Sequence, residues 1–362
     1  MTENPAGDRA PSLDDSPRVT DDAGPAEPAR PATIYDVARA VGVAPSTVSR
    51  AFARPGRVNA ETAARIRRAA AELGYRANSL ARALPTGRTS MIALAISDIT
   101  NPFYNEIIRG AQVAATEAGY TILLADTQES SVVEREALDR AMAMVDGIVL
   151  TTTRMSDSAI RVVAKQRPLI VLNRAVSDVP SVVTDNPRGM RRAVEHLAEL
   201  GHQRITYVAG PEASWSDGVR WRALREAAME LELQVRRIGP GAPTVAGGVK
   251  AAAEFLRQPT SAVIAYNDRM AITVIRELTA AGVLVPRDVS VVGFDNIFAA
   301  ELFTPALTTV AAPLKAMGLT AVRNLLAIIG GARSRATEPI SLPSRLIVRE
   351  STGRCRRTTS CR

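Results

Sequence analysis

The chain has 362 residues, of which 46% are hydrophobic, enough to bury a sizeable core and to form two or three domains. The sequence contains no 18-residue apolar run and no signal-peptide pattern at its start, which argues against a membrane or secreted protein. It has only two cysteines and two histidines, which argues against a metal-binding protein. We therefore expect a cytoplasmic protein. The net charge of +8 is concentrated in residues 31–90, which contain ten arginines and three acids, and this predicts a nucleic-acid-binding module.

Residues 1–30 are rich in proline, alanine and aspartate and carry a net charge of −4. They show no hydrophobic periodicity, so burial of apolar surface cannot offset the entropy of ordering them. We predict a disordered N-terminal tail.

Residues 31–77 are predicted to form three short helices. Helix one spans Thr33–Ala40, because Thr33 is a suitable N-cap with an acid three residues later and apolar residues recur on one face. Gly42 permits a tight turn, Pro45 suits the first position of helix two, and helix three spans about Asn59–Leu73. This order is typical of a helix-turn-helix followed by a supporting helix.

The polar face of helix two carries three hydroxyl side chains and one arginine: Ser46, Thr47, Ser49 and Arg50. Such side chains suit contacts with DNA bases and phosphates.

From Met91 onward, short apolar runs alternate with longer amphipathic segments, several of which end at a glycine. The predicted strands are Met91–Ile96, Tyr120–Ala125, Gly147–Thr152, Leu169–Leu172, Ile205–Ala209, Ala262–Ala265 and Val289–Phe294. This alternation indicates parallel βαβ units, numerous enough for two doubly wound subdomains. Ligands bind such sheets beyond the carboxyl ends of the strands.

The helical module resembles the DNA-binding headpiece of the LacI family of transcription regulators. The matching segments are Thr33-Ile34-Tyr35-Asp36-Val37-Ala38, Gly42-Val43, Ser46-Thr47-Val48-Ser49-Arg50-Ala51-Phe52, Leu73-Gly74-Tyr75, Asn78-Ser79-Leu80-Ala81-Arg82-Ala83-Leu84 and Thr86-Gly87-Arg88-Thr89. The resemblance implies that helix two enters the major groove and that residues 78–88 form a hinge helix and linker.

By this resemblance, Pro45 and Ser46 select operator bases. Arg50 contacts either a base edge or a phosphate. A base contact suits arginine because its guanidinium group can donate two hydrogen bonds to guanine. Backbone-positioning contacts are expected from Tyr35, Thr47, Ser49 and Asn78. The remaining DNA-binding candidates are Thr33, Asn59, Ala81, Arg82 and Leu84.

Position 44 departs from the family pattern. The family usually has a serine there, which caps the recognition helix and contacts phosphate, whereas Ala44 can do neither. A lost cap costs about 1 kcal/mol, which the preset backbone angle of Pro45 partly offsets. A member that binds DNA weakly is therefore one alternative.

The hinge segment Asn78–Leu84 is too short to form a stable helix alone, because helix nucleation is costly. We expect it to fold on DNA. The resemblance implies that paired hinge helices enter the minor groove and that Leu84 wedges between base pairs; the alternative for Leu84 is a buried linker leucine. Pro85 should end the helix.

The resemblance continues to about Ser351 and implies a periplasmic-sugar-binding-protein fold. Its landmarks are Asn101-Pro102-Phe103-Tyr104, Asp146-Gly147-Ile148, Asn173-Arg174, Asp185-Asn186, Ala209-Gly210-Pro211, Asn267-Asp268-Arg269-Met270-Ala271 and Val292-Gly293-Phe294-Asp295. The predicted fold class is thus a helix-turn-helix headpiece plus an α/β core, residues 89–351, of two doubly wound parallel-sheet subdomains. We predict 89–173 with 312–340 in one subdomain, and 174–311 with 341–351 in the other.

In the family, residues matching Asn267 and Asp295 hold ligand hydroxyls. Asp268 is a further candidate, although both Asn267 and Asp268 also suit a helix N-terminus. Phe103 offers an apolar face to a sugar ring or, alternatively, packs in the core. Asn101 and Arg174 complete this group of candidates.

The segment around Trp215 lies where the family places a ligand-binding arginine. We select Arg220, with Arg222 as the alternative, because the preceding loop is about two residues longer than in the lac repressor. Trp215 joins no amphipathic stripe and is predicted to be a pocket aromatic, whereas Trp221 is expected to pack on its own helix.

The predicted function is transcription regulation, with repression expected and activation as the alternative. We expect a homodimer that binds a palindromic operator. A small molecule, expected to be a sugar or polyol, controls this binding. No cofactor is expected. An enzyme lacks support, because no phosphate loop, nucleophile elbow or metal-spaced cluster is visible. A secreted solute-binding protein shares the core fold but not residues 33–84. Residues 352–362 form a basic tail without an assigned role.

Overall fold

The computed structural model describes residues 30–53, 56–75, 88–332 and 338–356. The chain divides into two compact units, one ending at Arg82 and the other beginning at Ala83. The hinge candidates Asn78, Ala81, Arg82 and Leu84 lie outside the described residues.

The N-terminal unit contains the helices α1 (Ile34–Val41), α2 (Pro45–Ala53) and α3 (Ala60–Glu72), which confirms the three predicted helices with end shifts of about one residue. Gly42 follows α1 with φ of 73°, a left-handed conformation that glycine adopts without strain. The small core of this unit is built mainly from Val37, Val48 and Ile66, all fully buried.

The C-terminal unit contains two six-stranded sheets, each covered by helices. The strands are β1 (Met91–Ile96), β2 (Thr121–Asp126), β3 (Gly147–Thr151), β4 (Leu169–Leu172), β5 (Ser181–Thr184), β6 (Arg204–Val208), β7 (Gln234–Ile238), β8 (Ala262–Ala265), β9 (Ser290–Asp295), β10 (Thr308–Ala311), β11 (Ile340–Leu342) and β12 (Arg345–Ile347). The helices are α4 (Phe103–Glu117), α5 (Ser131–Ala141), α6 (Asp157–Gln166), α7 (Asn186–Glu199), α8 (Trp215–Glu230), α9 (Val245–Arg257), α10 (Asp268–Ala280), α11 (Ala299–Leu302) and α12 (Leu314–Ile329).

The first sheet has the order β11-β5-β4-β3-β1-β2 and is entirely parallel. The second has the order β12-β10-β9-β8-β6-β7 and is parallel except for its edge strand β12, which runs antiparallel to β10. We call the first sheet with α4–α6 and α12 the first lobe, and the second sheet with α7–α11 the second lobe. This architecture confirms the predicted fold class.

The predicted boundaries between the lobes need correction. β5 (Ser181–Thr184) belongs to the first sheet, so the chain leaves the first lobe after residue 184 and not at 173. The last crossing lies between Leu342 and Arg345, because β11 still pairs with β5. Both errors concern short strands without a long apolar run, whose place in a sheet is decided by their partners.

The predicted tail 352–362 also begins too early. The Gly353 N–H donates to Ser290 Oγ at 3.0 Å, and the Cys355 N–H donates to the Leu200 carbonyl oxygen at 2.8 Å. These bonds attach the start of this segment to the second lobe.

Candidate DNA-reading helix and ligand pocket

Helix α2 separates a buried from an exposed face. Val48 is fully buried, whereas Ser46, Ser49 and Arg50 are exposed and Pro45 and Thr47 are half-buried. Tyr35, on α1, is 65% exposed although tyrosine is usually at least partly buried. The polar side chains predicted to contact DNA are therefore accessible on this unit.

Two other DNA-binding candidates cap helices. The Thr33 hydroxyl and N–H both donate to Asp36 Oδ2, at 2.6 and 2.8 Å, and these bonds lower the pKa of the Asp36 carboxyl. The Asn59 Oδ1 accepts from the Glu61 N–H at 2.9 Å at the start of α3. Both side chains thus have a structural task whether or not they touch DNA.

Ala44 precedes α2, and its carbonyl oxygen accepts from the Thr47 N–H at 2.8 Å. Its methyl group provides no side-chain acceptor for the free N–H groups of the first turn. The position therefore keeps the backbone geometry of a cap without the side-chain bond.

In the C-terminal unit, a pocket lies at the carboxyl ends of strands from both lobes. Its lining residues are Asn101, Phe103, Tyr104, Glu129, Thr152, Arg154, Asn173, Arg220, Pro243, Tyr266, Asn267 and Asp295. Five predicted effector-binding residues are brought together here: Asn101, Phe103, Arg220, Asn267 and Asp295. This is the position expected for a ligand site in open parallel sheets.

Arg220 is the most highly connected side chain of the pocket. Its Nε donates to Asn186 Oδ1 at 2.9 Å, one terminal nitrogen donates to the Tyr266 carbonyl oxygen at 2.6 Å, and the other lies 3.6 Å from Asp295 Oδ1. Its guanidinium also covers the Phe294 ring, 3.5 Å from the centroid. Since Arg222 is exposed, the structure favours Arg220 over that alternative as the pocket arginine.

Asp295 ends β9 with φ of 115°, a conformation that side chains rarely adopt. Burial raises the pKa of its carboxyl, Arg220 opposes this rise, and the neighbouring Asp268 adds to it. The carboxyl oxygens of Asp295 are hydrogen-bond acceptors, which suits a hydroxyl ligand.

Asn267 and Asp268 have different positions. Asn267 lines the pocket and also caps α10, since its Oδ1 accepts from the Met270 N–H at 3.0 Å. Asp268 is fully buried away from the pocket lining, where its carboxylate accepts from Thr309 Oγ1 and the Ile297 N–H. A Cβ at Gly293 would overlap with Asp268 Oδ1, so only glycine fits there.

Phe103 and Asn101 lie at the start of α4. Phe103 packs edge-on against Tyr104 and belongs to the first-lobe core, and it also lines the pocket, so its contact with a sugar ring stays a prediction. Asn101 Oδ1 accepts from the Phe103 N–H at 3.2 Å. This bond orients the start of the helix toward the pocket.

The pairing of Glu129 with Arg154 was missed in the sequence. Arg154 Nε donates to Glu129 Oε2 at 2.7 Å, and burial raises the Glu129 pKa despite that partner. Each residue follows the end of a strand, β2 or β3, by three positions. A charged residue shortly after a strand end could have indicated a pocket residue, but neither residue belongs to a recognisable motif.

Arg174 and Trp215 lie in an adjoining crevice. Its lining residues are Thr152, Thr153, Arg154, Asn173, Arg174, Ser214, Trp215 and Ser216. Arg174 pairs with Asp157 at 2.5 Å and donates to the Met155 carbonyl oxygen at 2.8 Å. These two predicted residues therefore lie beside the main pocket and not in it.

Two polar contacts join the lobes near the pocket. Arg269 of the second lobe pairs with Asp98 of the first at 2.7 Å, and Ser216 Oγ donates to the Asn173 carbonyl oxygen at 3.0 Å. The relative position of the lobes is thus linked to residues around the site.

Neither a metal cluster nor a membrane helix is found in the parts of the chain that the structure describes. No three or more histidine, cysteine, aspartate and glutamate side chains there are grouped to hold a metal ion. None of the described helices is both long and apolar enough to span a bilayer.

Comparisons with known proteins match both units. Residues 33–78 match the family model for bacterial regulatory proteins of the lacI family, and residues 194–352 match the periplasmic binding protein-like domain. The chain is 34% identical to the HTH-type transcriptional regulator DegA of Bacillus subtilis over 88% of this chain and 98% of that protein. It is 36% identical to the HTH-type transcriptional regulator CelR of Thermobifida fusca, with the same coverage.

Among solved structures, the lac repressor dimer bound to operator and the anti-inducer ONPF is similar with a TM-score of 0.80 and 28% identity, covering 90% of this chain and 100% of that one. A complex of the transcriptional regulator CelR with cellobiose is similar with a TM-score of 0.67 and 32% identity, covering 88% and 99%.

Proposed function

The chain belongs to the LacI family of bacterial regulatory proteins, and on this premise we propose that it represses transcription under the control of a neutral sugar or polyol bound between its lobes. It is a DNA-binding transcription regulator and not an enzyme, and it acts as a homodimer on operator DNA. Because it acts on bacterial DNA, we place it in the cytoplasm. The observation that carries the effector proposal is the convergence of Arg220, Asn267 and Asp295 in one pocket.

The charges of the pocket favour an uncharged ligand. Each of its two guanidinium groups has its own carboxyl partner, Glu129 for Arg154 at 2.7 Å and Asp295 for Arg220 at 3.6 Å. A phosphate or carboxylate ligand would need cationic donors that are not already paired. Paired hydroxyl groups, in contrast, match the mixed donors and acceptors of Asn267 and Asp295.

The relatives support a sugar. CelR has been solved with cellobiose, a LacI family regulator from Enterococcus faecium has been solved with ribose, and a ribose operon repressor of Halalkalibacterium halodurans is 32% identical to this chain.

For DNA reading, we propose that α2 lies in the major groove. Pro45, Ser46 and Arg50 contact bases, and the DNA backbone is contacted by Tyr35, Thr47, Ser49 and Asn78. Contacts are also proposed for Thr33, Asn59, Ala81, Arg82 and Leu84. A two-fold dimer then requires a palindromic operator.

Control of DNA binding by the pocket requires that the sugar bind different arrangements of the lobes with different affinity. A ligand can change operator affinity only if it binds one arrangement of the lobes better than another. The Asp98–Arg269 pair and the Ser216–Asn173 hydrogen bond are the polar contacts that such a change would form or break.

The test is to capture and sequence genomic fragments bound by the purified protein at a fixed, moderate salt concentration. We expect a palindrome in which Arg50→Ala relaxes the preference at one base pair of each half-site, while Arg67→Ala, an exposed arginine of α3, leaves the palindrome unchanged. The genes beside the palindrome would narrow the sugar panel for binding measurements. Unrelated fragments, recovered both without sugar and in the presence of ribose or cellobiose, would contradict sequence-specific regulation.

A further inference from the structure

The start of the chain and the helical unit carry opposite charges. Residues 1–29, which lie outside the described residues and are called the acidic segment below, contain seven acids and two arginines. Residues 31–75 contain seven arginines and three acids. The described chain begins at Arg30, shortly before α1 starts at Ile34. The acidic segment is thus tethered to a basic surface, and a tether keeps its effective concentration there high at any protein concentration.

Part of the positive charge of the helical unit has no acidic partner. Arg39 pairs with Asp36 at 3.5 Å, and Arg65 donates to the Val41 carbonyl oxygen at 3.0 Å. The exposed side chains of Arg50 and Arg57, in contrast, form no ion pair and no hydrogen bond with any described residue. Unpaired surface cations attract polyanionic chains, whether the anions are phosphates or carboxylates.

The charge is least balanced on α2. This helix contains no acid, and its exposed face combines the hydroxyl groups of Ser46 and Ser49 with the guanidinium of Arg50, all of which can donate to a carboxylate. On α3, Arg68 lies four positions before Glu72. Side chains four positions apart are neighbours on a helix, so Glu72 offsets part of that charge. An acidic chain therefore matches the exposed face of α2 better than that of α3.

We infer that the acidic segment occupies the exposed face of α2 when DNA is absent and competes with DNA for it. Every DNA must displace the segment before its phosphates and bases reach this face, so the segment lowers the affinity for operator and for unrelated DNA by the same factor. This inference rests on the proposed function, since it takes α2 as the helix that contacts DNA.

Cross-linking locates the acidic segment in the full-length protein. A carbodiimide joins a lysine amine to a carboxylate in direct contact, and the chain has only three lysines, Lys165, Lys250 and Lys315, all outside the helical unit. Arg50→Lys therefore places a reporter amine on α2, and Arg68→Lys places one on α3. Because the tethered segment contacts mainly α2, we expect the Arg50→Lys amine to cross-link to it at least about fivefold more than the Arg68→Lys amine. The captured operator, at saturation, should suppress this product.

DNA affinity measures the competition. In one full-length variant, all seven acids of the acidic segment are replaced by the corresponding amides. Its affinity for the operator and for a random-sequence duplex should rise by the same factor, about fivefold at low salt, and the factor should shrink as salt screens the charges. A shuffled segment of unchanged composition should behave as wild type, because the contact depends on charge and not on order.

The outcomes separate the acidic segment from the reading helix. Absence of the cross-link in Arg50→Lys, an equal yield in Arg68→Lys, or unchanged DNA affinity in the amide variant would overturn the competition and leave the assignment of α2 to DNA intact. A cross-link in Arg50→Lys that persists under saturating operator would show that DNA does not cover α2. That result would overturn the proposed reading face together with the competition.

Discussion

The N-terminal helical unit and the ligand pocket assemble their functional residues in different ways. The proposed DNA-reading face of the helical unit comes from one helix, where Ser46, Ser49 and Arg50 follow each other within a few positions. The pocket collects residues from both lobes that lie as far apart in the chain as Asn101 and Asp295. A change in the helical unit should therefore act locally, whereas a change in the pocket should disturb packing as well as binding.

The largest effect is expected for Arg220→Ala. It removes a buried guanidinium from Asp295 and Asn186, and breaking a buried ion pair costs about 3 to 5 kcal/mol. Sugar binding, measured by calorimetry, should fall more than 100-fold, and the thermal unfolding midpoint of the C-terminal unit should fall.

Arg222→Ala is the matched control on the same helix, because Arg222 is exposed. It should change neither quantity, and Arg220→Lys should recover part of the stability without the full affinity. Unchanged sugar binding in Arg220→Ala would remove this residue from the proposed site.

The two units should also differ in how pH changes their stability. Burial raises the pKa of Asp268 to about 7, so the folded state holds its proton more tightly than the unfolded state, whose pKa is near 3.8. This group therefore reduces stability as pH rises from about 4 to about 7. The pKa of Asp36 in the helical unit is lowered, so its contribution is present above pH 3.8 and is lost at lower pH.

Asp268→Asn tests this contrast. Relative to wild type, the variant should gain about 1 to 4 kcal/mol of unfolding free energy between pH 5 and pH 8, at about 1.4 kcal/mol for each pKa unit. Denaturant unfolding at both pH values measures this difference. Parallel stability curves for the two proteins would show that Asp268 is ionised throughout this range.

Arg50→Ala should separate DNA reading from sugar binding. The variant should lose about 1 to 3 kcal/mol of operator affinity and relax the preference at one base pair, because a paired guanidinium contact distinguishes guanine. Sugar affinity should stay the same. Equal weakening on all sequences, measured by fluorescence anisotropy at several salt concentrations, would instead assign Arg50 to a phosphate.

The smallest effect is expected for Ala44→Ser. A serine hydroxyl there can accept from a free N–H of the first turn of α2, which typically adds about 1 kcal/mol to helix stability. Operator affinity should rise by up to severalfold, while Ala64→Ser, at an exposed position inside α3, should add nothing. Unchanged affinity and stability would mean that Pro45 already compensates for the missing cap.

Much of the fold was predictable because periodicity is a local property. Buried runs such as Met91–Ile96, Leu169–Leu172 and Ala262–Ala265 were identified with their exact ends. The strands missed in the sequence were β5, β7, β10, β11 and β12. Among them, β7 (Gln234–Ile238) contains two arginines, and β10 (Thr308–Ala311) begins with two threonines that are nevertheless fully buried. Distant partners offset part of this polarity, since Arg237 pairs with Asp217 and Thr309 donates to Asp268. Two guanidinium nitrogens of Arg236 have no hydrogen-bond partner among the described residues.

The candidate site likewise combines features set by the local sequence with features set by long-range contacts. The sequence by itself determined the helical unit, the exposed polar face of its second helix, the parallel α/β class of the core and five residues that line the pocket, because motifs and periodicity act over short distances. Only the tertiary structure decided that Arg220 and not Arg222 points inward, that Asp268 is a buried structural acid, and that Arg154 and Glu129 join the pocket. These outcomes depend on which side chains meet when the carboxyl ends of strands from two lobes converge, and such long-range contacts form only in the folded chain.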